Sequence, residues 1–258
     1  MSEANSVDAA ARDWSTQHIH HCACGGLGWV YANVPRDDVL WGRAVPCICQ
    51  RDAQAKAETE RLWRLSGLST ASLTDRTFGK FDPDLCTPPE SRQTMRAIKR
   101  VCEQYAAAPR GWLILVGRVG SGKTHLAQAI VRATLDAGRS AYMATMPDLL
   151  EMLRAGYKDE KDTFDARFDM LAEVPLLVID DLGAEKGTEW SREQLYRAVN
   201  RRYEERSPLV VTSNAHLSRM GDSVDARILS RLSEGAGQKD GWSRVIELPA
   251  ADFRTRRV

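Results

Sequence analysis

Beyond residue 90 the apolar residues follow two alternating rhythms. The short runs GWLILVG, SAYMAT, PLLVIDD, PLVVTSN and WSRVIELP are nearly unbroken and flanked by turn formers, which predicts five buried strands. Between them, SRQTMRAIKRVCEQYAA, THLAQAIVRATLDAG, PDLLEMLRAGY, TFDARFDMLAEV, EWSREQLYRAVNRRYEER and SVDARILSRLSEG space their apolar residues at the helical period. Strands alternating with helices predict an α/β fold, a five-stranded parallel sheet flanked by helices on both faces. The earlier part of the chain reads differently. Residues 1–17 are small, polar and aperiodic, as expected of a flexible tail. RDAQAKAETERLWRL is rich in helix formers, and SGLSTASL then breaks the pattern. The expected division is a tail over 1–17, a small domain with a linker helix over 18–66, and the α/β domain over 67–258.

With 258 residues, 43% hydrophobic and 28% charged, the chain has an ordinary globular composition, and wholesale disorder is excluded. No stretch approaches the ~18 apolar residues of a membrane span, and MSEANSVDAAARDW has no apolar stretch like that of a secretory signal. A cytoplasmic protein without a membrane partner is therefore expected. Lys plus Arg number 36 against 35 Asp plus Glu, so nucleic-acid binding would need a local basic groove rather than a whole-molecule field. In a chain without an export signal, its six cysteines point to thiols or metal ligands rather than disulfides.

The turn after WLILV reads Gly117-Arg-Val-Gly120-Ser121-Gly122-Lys123-Thr124, a complete GxxxxGK[ST] phosphate loop between a strand and a helix. Glycines let the main chain curl so that successive amide hydrogens face the phosphates, and the helix N-terminus favours their charge. The expected nucleotide contacts are Gly117, Gly120, Ser121, Gly122, Lys123, Thr124 and the adjoining His125, with Lys123 reaching the β and γ phosphates and Thr124 holding magnesium. A nearby strand must supply carboxylates, and Leu176-Leu-Val-Ile-Asp180-Asp181 ends in two. Asp180 is the expected magnesium ligand and Asp181 the group that polarises the attacking water. Aspartate is shorter than the glutamate common at that second position, so slow hydrolysis is expected.

Asn214 ends PLVVTSN and is a candidate contact to the γ phosphate or the water, with a turn former as its plainer reading. In ARILSRLSEG, Arg227 and Arg231 are four apart on one helical face. Arg231 is a candidate arginine finger acting on a neighbouring subunit's nucleotide, and a solvated helix arginine is the alternative.

Four cysteines form two tight pairs, Cys22/Cys24 and Cys47/Cys49, around a glycine- and tryptophan-containing segment with little core of its own. Zinc takes four ligands, typically from two close pairs, and would supply the missing stability. Cys24, Cys47 and Cys49 are the expected ligands. For the fourth, Cys22 repeats the one-residue spacing, whereas His21 restores the usual two-residue spacing with Cys24. Cys86 and Cys102 stand alone and read as ordinary thiols.

From about residue 60 onward the chain resembles the bacterial replicative helicase loaders of the DnaC/DnaI type, AAA+ ATPases related to the transposition helper IstB. The carrying pieces are LTDRTFGKFDP, GRVGSGKTHLA, LLVIDDLGAE, WSREQLYRAVNRRY, PLVVTSN, ARILSRLSEG and DFRTRR. The resemblance implies an AAA+ core in which Asp180 and Asp181 are the Walker B acids, Asn214 is sensor 1 and Arg231 is the finger. Only nine residues follow Pro249, so no C-terminal lid is expected, and Arg254 is left as a candidate nucleotide contact.

The same resemblance implies single-stranded DNA held inside a spiral of subunits, near PDLLEMLRAGYKDEKDTFDARFDMLAEV with its Arg154, Tyr157, Lys158, Lys161 and Arg167. It also implies an N-terminal zinc module that docks on a DnaB-type helicase, although the first cysteine pair departs from the CxxC of DnaI-type loaders. The expected function is an ATP-dependent helicase loader with ATP, Mg2+ and Zn2+ as cofactors, forming a homo-oligomer or a helicase-bound spiral in its ATP state. The competing expectation is an IstB-type transposition helper acting on duplex DNA.

Overall fold

The structure is a computed structural model and describes residues 24, 27–86, 88–156, 163–183, 188–221, 224–234 and 241–249. The chain forms two units, residues 1–61 and 62–258. In the first, β1 (Trp29–Tyr31) pairs antiparallel with β2 (Ala44–Pro46), Val30 opposite Val45. Three-residue strands are too short for their alternation to register in the sequence. Helix α1 (Ile48–Leu65) follows, over the stretch rich in helix formers.

In the second unit, α2 (Thr70–Asp75) begins within SGLSTASL, where the sequence pattern predicts only a break. Ser69 caps it by accepting the Ser72 amide, and Leu73 is buried. The alternating core then runs α3 (Ser91–Ala107), β3 (Trp112–Gly117), α4 (Lys123–Asp136), β4 (Ala141–Thr145), α5 (Met146–Ala155), α6 (Phe164–Glu173), β5 (Leu176–Asp180), α7 (Glu189–Glu204), β6 (Leu209–Ser213), α8 (Ala226–Ser233) and β7 (Ser243–Leu248). The five predicted strands form one parallel sheet in the order β4-β5-β6-β3-β7.

Period-two alternation divides each central strand between two cores. Leu113 and Leu115 of β3, Leu176 and Val178 of β5, and Val210 of β6 pack with Met95, Leu126 and Ile130 of α3 and α4. Trp112, Ile114, Leu177, Ile179 and Val211 face the opposite side, with Leu149, Phe168, Leu195 and Ile228 of α5 to α8. Both faces being covered explains why these strands read as continuous apolar runs. Because β6 lies between β5 and β3, the carboxyl ends of all three strands are adjacent although they are far apart in sequence. In open α/β sheets ligands bind at this edge.

The expected tail, together with His21, Cys22, Tyr157, Lys158, Lys161 and Arg254, lies outside the described residues. Among the described residues no helix is long and apolar enough to cross a membrane.

Candidate nucleotide-binding site and cysteine cluster

Gly122 immediately precedes α4 with φ +96°, a left-handed conformation that a β-carbon disfavours, and this lets the chain turn sharply from the loop into the helix. Lys123 is therefore the first helical residue. Its ammonium donates to the carbonyls of Gly117 and Arg118, both at 2.9 Å, and to Asn214 Oδ1 at 2.8 Å. Ser121 is fully buried beneath the loop, and its hydroxyl is a buried polar atom with no hydrogen-bond partner among the described residues. An unsatisfied hydroxyl in a glycine-rich turn at a helix N-terminus fits a phosphate-binding cradle.

The two sequence-predicted magnesium ligands meet. Thr124 Oγ1 lies 3.1 Å from each carboxylate oxygen of Asp180, which is itself 7% exposed. A hard divalent cation takes oxygen ligands of this kind and would screen phosphate charge there. Asp181 is one of two described non-glycine residues with positive φ, +56°, as residues at functional sites sometimes are. Asn214 donates through Nδ2 to Asp181 while its Oδ1 accepts from Lys123. A single amide thus bridges the loop lysine and the second acid.

The sequence reading missed Thr212. Its hydroxyl donates to Asp180 Oδ1 at 2.5 Å and accepts the Asp181 main-chain amide at 2.9 Å, so one buried side chain orients the Asp180 carboxylate and fixes the backbone at Asp181. The available signal was a threonine near the end of the fully buried strand LVVTS. His125 points its ring elsewhere: Nε2 lies 2.9 Å from the Thr77 carbonyl, and the ring meets Phe81 edge to face. A carbonyl only accepts, so Nε2 carries the proton. Beside the loop is a cleft of about 480 Å³ lined by Val116, Gly117, Arg118, Asn214, Arg219 and Glu247, among others.

Arg231 sits on α8 against α7, where Asn200 Oδ1 accepts from its guanidinium at 2.5 Å. The two described basic candidates for DNA contact are engaged within the chain. Arg154 lies over the Trp190 ring, 4.8 Å from its centroid, and Arg167 donates to the Met152 carbonyl at 2.7 Å.

In the N-terminal unit the sulfurs of Cys24, Cys47 and Cys49 lie within 4.8 Å of one another, those of Cys24 and Cys49 at 3.5 Å. The Cys47 amide donates to the Gly28 carbonyl at 2.8 Å, fixing the start of the second pair at the end of the ribbon. Three converging thiols fit three of the four positions of a tetrahedral zinc site, and the candidates for the fourth, Cys22 and His21, lie outside the described residues. Cys86, shortly before α3, and Cys102, on α3, are buried in the core, and burial pushes the Cys102 thiol up to about 12.

A parallel sheet with a phosphate loop after β3 and acids after β5 defines a P-loop nucleotide-binding protein of the AAA+ type. The profile of the IstB-like ATP binding proteins matches residues 61–232, and the chain belongs to that family. It is 26% identical over 122 residues to the replicative helicase loader DnaC of Escherichia coli K12, covering 47% of this chain and 50% of that protein. The chain thus spans about half the length of the curated relatives it matches. Among solved structures, DnaI superposes with a TM-score of 0.56 at 22% identity, covering 75% of this chain and all of that one. The replication initiator DnaA, bound to AMPPCP and single-stranded DNA, superposes at 0.55 with 21% identity, covering 67% of this chain and 50% of that chain. At these identities the likeness is one of fold.

Proposed function

We propose that the chain is an ATP-dependent helicase loader. The observation that carries the reading is the pairing of Thr124 with both oxygens of Asp180 beneath a lysine shared between the phosphate loop and Asn214. In this reading Lys123 and the loop amides bind the ATP phosphates, Thr124 and Asp180 hold magnesium, and Asp181, its backbone fixed by Thr212 and its carboxylate met by Asn214, polarises the attacking water. Phosphate arriving at Lys123 competes with Asn214 for the ammonium, so nucleotide occupancy is coupled to the contact between Asn214 and Asp181. Arg231 acts on a neighbouring subunit's nucleotide in an ATP-dependent assembly that grips single-stranded DNA, and hydrolysis releases the grip. The DnaA complex with AMPPCP and single-stranded DNA, a relative in fold, supports the choice of ligands.

The N-terminal unit is the docking module of this proposal. Leu27, Trp29, Tyr31, Val39 and Trp41 of this small unit are exposed large apolar residues, a composition suited to protein contact and costly to leave in water. Zinc held by Cys24, Cys47, Cys49 and either Cys22 or His21 would fix that surface. Its partner in this reading is a DnaB-type replicative helicase.

The finger assignment has a direct test. Arg231→Ala is expected to bind ATP with nearly unchanged affinity while losing hydrolysis stimulated by single-stranded DNA, and stimulated turnover equal to the parent's would contradict it. The match to the IstB-like profile favours a second reading, a transposition helper that assembles on duplex DNA. Stimulation by duplex but not single-stranded DNA, with capture of a transposase, would select it.

A further inference from the structure

Helix α8 presents two arginines four residues apart, and α7 treats them differently. Glu193, Tyr196 and Asn200 are spaced three and four apart and so share one face of α7. The ring of Tyr196 lies under both guanidinium groups, 3.7 Å from that of Arg227 and 5.1 Å from that of Arg231. Arg227 is neutralised within its own chain: its guanidinium meets Asp225 at 2.7 Å and Glu193 at 3.3 Å. Among the described residues Arg231 is held directly by neutral groups, the first of which, Asn200, is itself anchored through its Nδ2, which donates to Glu204 at 2.8 Å. Asn200 Oδ1 accepts from it at 2.5 Å, the Arg227 carbonyl at 3.1 Å and the Tyr196 hydroxyl at 3.4 Å. The Tyr203 ring lies 5.3 Å away on the same guanidinium. Its Nε is buried with no partner, and among the described residues no carboxylate lies within ion-pair distance of it.

A guanidinium locked by neutral acceptors keeps its full charge for an anion that arrives later, whereas one already paired with two carboxylates has little left to offer. We infer that Asn200 is a positioning residue for the trans-acting arginine: with the Tyr196 ring it fixes the Arg231 guanidinium without neutralising it, while Arg227, paired with Asp225 and Glu193, does not share the role. The inference deepens the loader reading and rests on its assignment of Arg231 to a neighbouring subunit's nucleotide. An amide suits this position, because its oxygen accepts from Arg231 while its Nδ2 donates to Glu204 at 2.8 Å. Aspartate has nearly the same shape, but it would cancel the charge it positions.

The test compares the full-length chain with Asn200→Asp, Asn200→Ala, Arg227→Ala and Arg231→Ala. Steady-state ATP turnover is measured against protein concentration in the presence of oligo(dT), and thermal melting of each variant reports folding. Arg231→Ala should lose stimulated turnover by about 10³-fold. Asn200→Asp gains an ion pair with Arg231 but loses the donor to Glu204 and sets two carboxylates together, so it should melt near the parent temperature, yet lose about tenfold or more in kcat with the KM for ATP unchanged. Asn200→Ala should also lose kcat, and Arg227→Ala should stay within about twofold of the parent. A merely structural Asn200 predicts the reverse for aspartate, with turnover intact. If Arg231→Ala is inactive while both Asn200 variants turn over like the parent, the positioning role is overturned and the finger stands. If Arg227→Ala is as inactive as Arg231→Ala, the division between the two arginines is overturned. If Arg231→Ala matches the parent, or parent turnover does not rise with concentration, the underlying reading fails and the inference with it.

Discussion

Arg202 is fully buried, yet its charge meets no carboxylate among its hydrogen-bond partners. Its guanidinium donates instead to the carbonyls of Leu171, Ala172 and Val174 at about 3 Å and of Pro208 at 2.5 Å. The first two lie in the last turn of α6, where helix carbonyls lack partners, so one side chain caps α6 and ties it to the approach to β6. Burial pulls its pKa down to about 10, which leaves it charged at neutral pH. Arg202→Lys keeps the charge but not the planar fork, and should destabilise the fold by about 2–4 kcal/mol in urea unfolding. A loss below about 1 kcal/mol would contradict the cap. In the sequence NRRYEER this residue is indistinguishable from its solvated neighbours, because charge alone does not reveal which arginine turns inward. His125 gives a prediction in pH. Burial lowers its pKa below the ordinary 6.5, so the folded state favours the neutral ring, whose Nε2 donates to Thr77. The unfolded chain takes up a proton first as pH falls. The contribution is therefore fully present above about pH 6.5 and is lost as the pH drops through the lower folded value. Thermal melting from about pH 7.5 to 5.5 should show a steeper loss in the parent than in His125→Gln, and parallel curves would contradict it.

Among the elements, β3, β5 and β6 were legible because burial on both faces turns a strand into an unbroken apolar run. Helix α3 was equally legible, its bounds Ser91–Ala107 coinciding with the periodic segment. The ribbon β1–β2 and helix α2 were not, since three and six residues carry too little period to stand out from turns. What holds α2's neighbourhood is a backbone contact that side-chain patterns do not report. The Met143 amide of edge strand β4 donates to the Ser66 carbonyl at 2.8 Å, which satisfies part of the sheet's open edge. Gly67 makes this approach possible, with φ +76° and a β-carbon position only 2.4 Å from the Met143 carbonyl oxygen. Gly67→Ala should therefore cost about 2–4 kcal/mol in urea unfolding, from the left-handed backbone and the clash together. A cost under about 0.5 kcal/mol would mean that the contact is not maintained in solution. At the site, Gly117 to Thr124, Asp180, Asp181 and Asn214 were legible because each is fixed to a strand or helix end by spacing. Thr212 and Asn200 were not, because they serve the site through other side chains.

At the scale of the whole molecule a net charge of +1 gives no general attraction to nucleic acid, so the DNA grip of the proposed function would have to be built locally. The P-loop core and the cysteine-bearing unit divide that work in this account: the first reads nucleotide, the second finds the partner. The family is legible from the core motifs alone, whereas the partner depends on a surface of Leu27, Trp29, Tyr31, Val39 and Trp41 whose exposure no sequence pattern could establish. The most direct test mixes the full-length chain with the replicative helicase of its host, ATP and magnesium, and follows complex mass by light scattering before and after zinc is chelated. A defined complex that forms with ATP and is lost on chelation is the predicted result. No complex in either state, or one unchanged by the loss of zinc, would contradict the account.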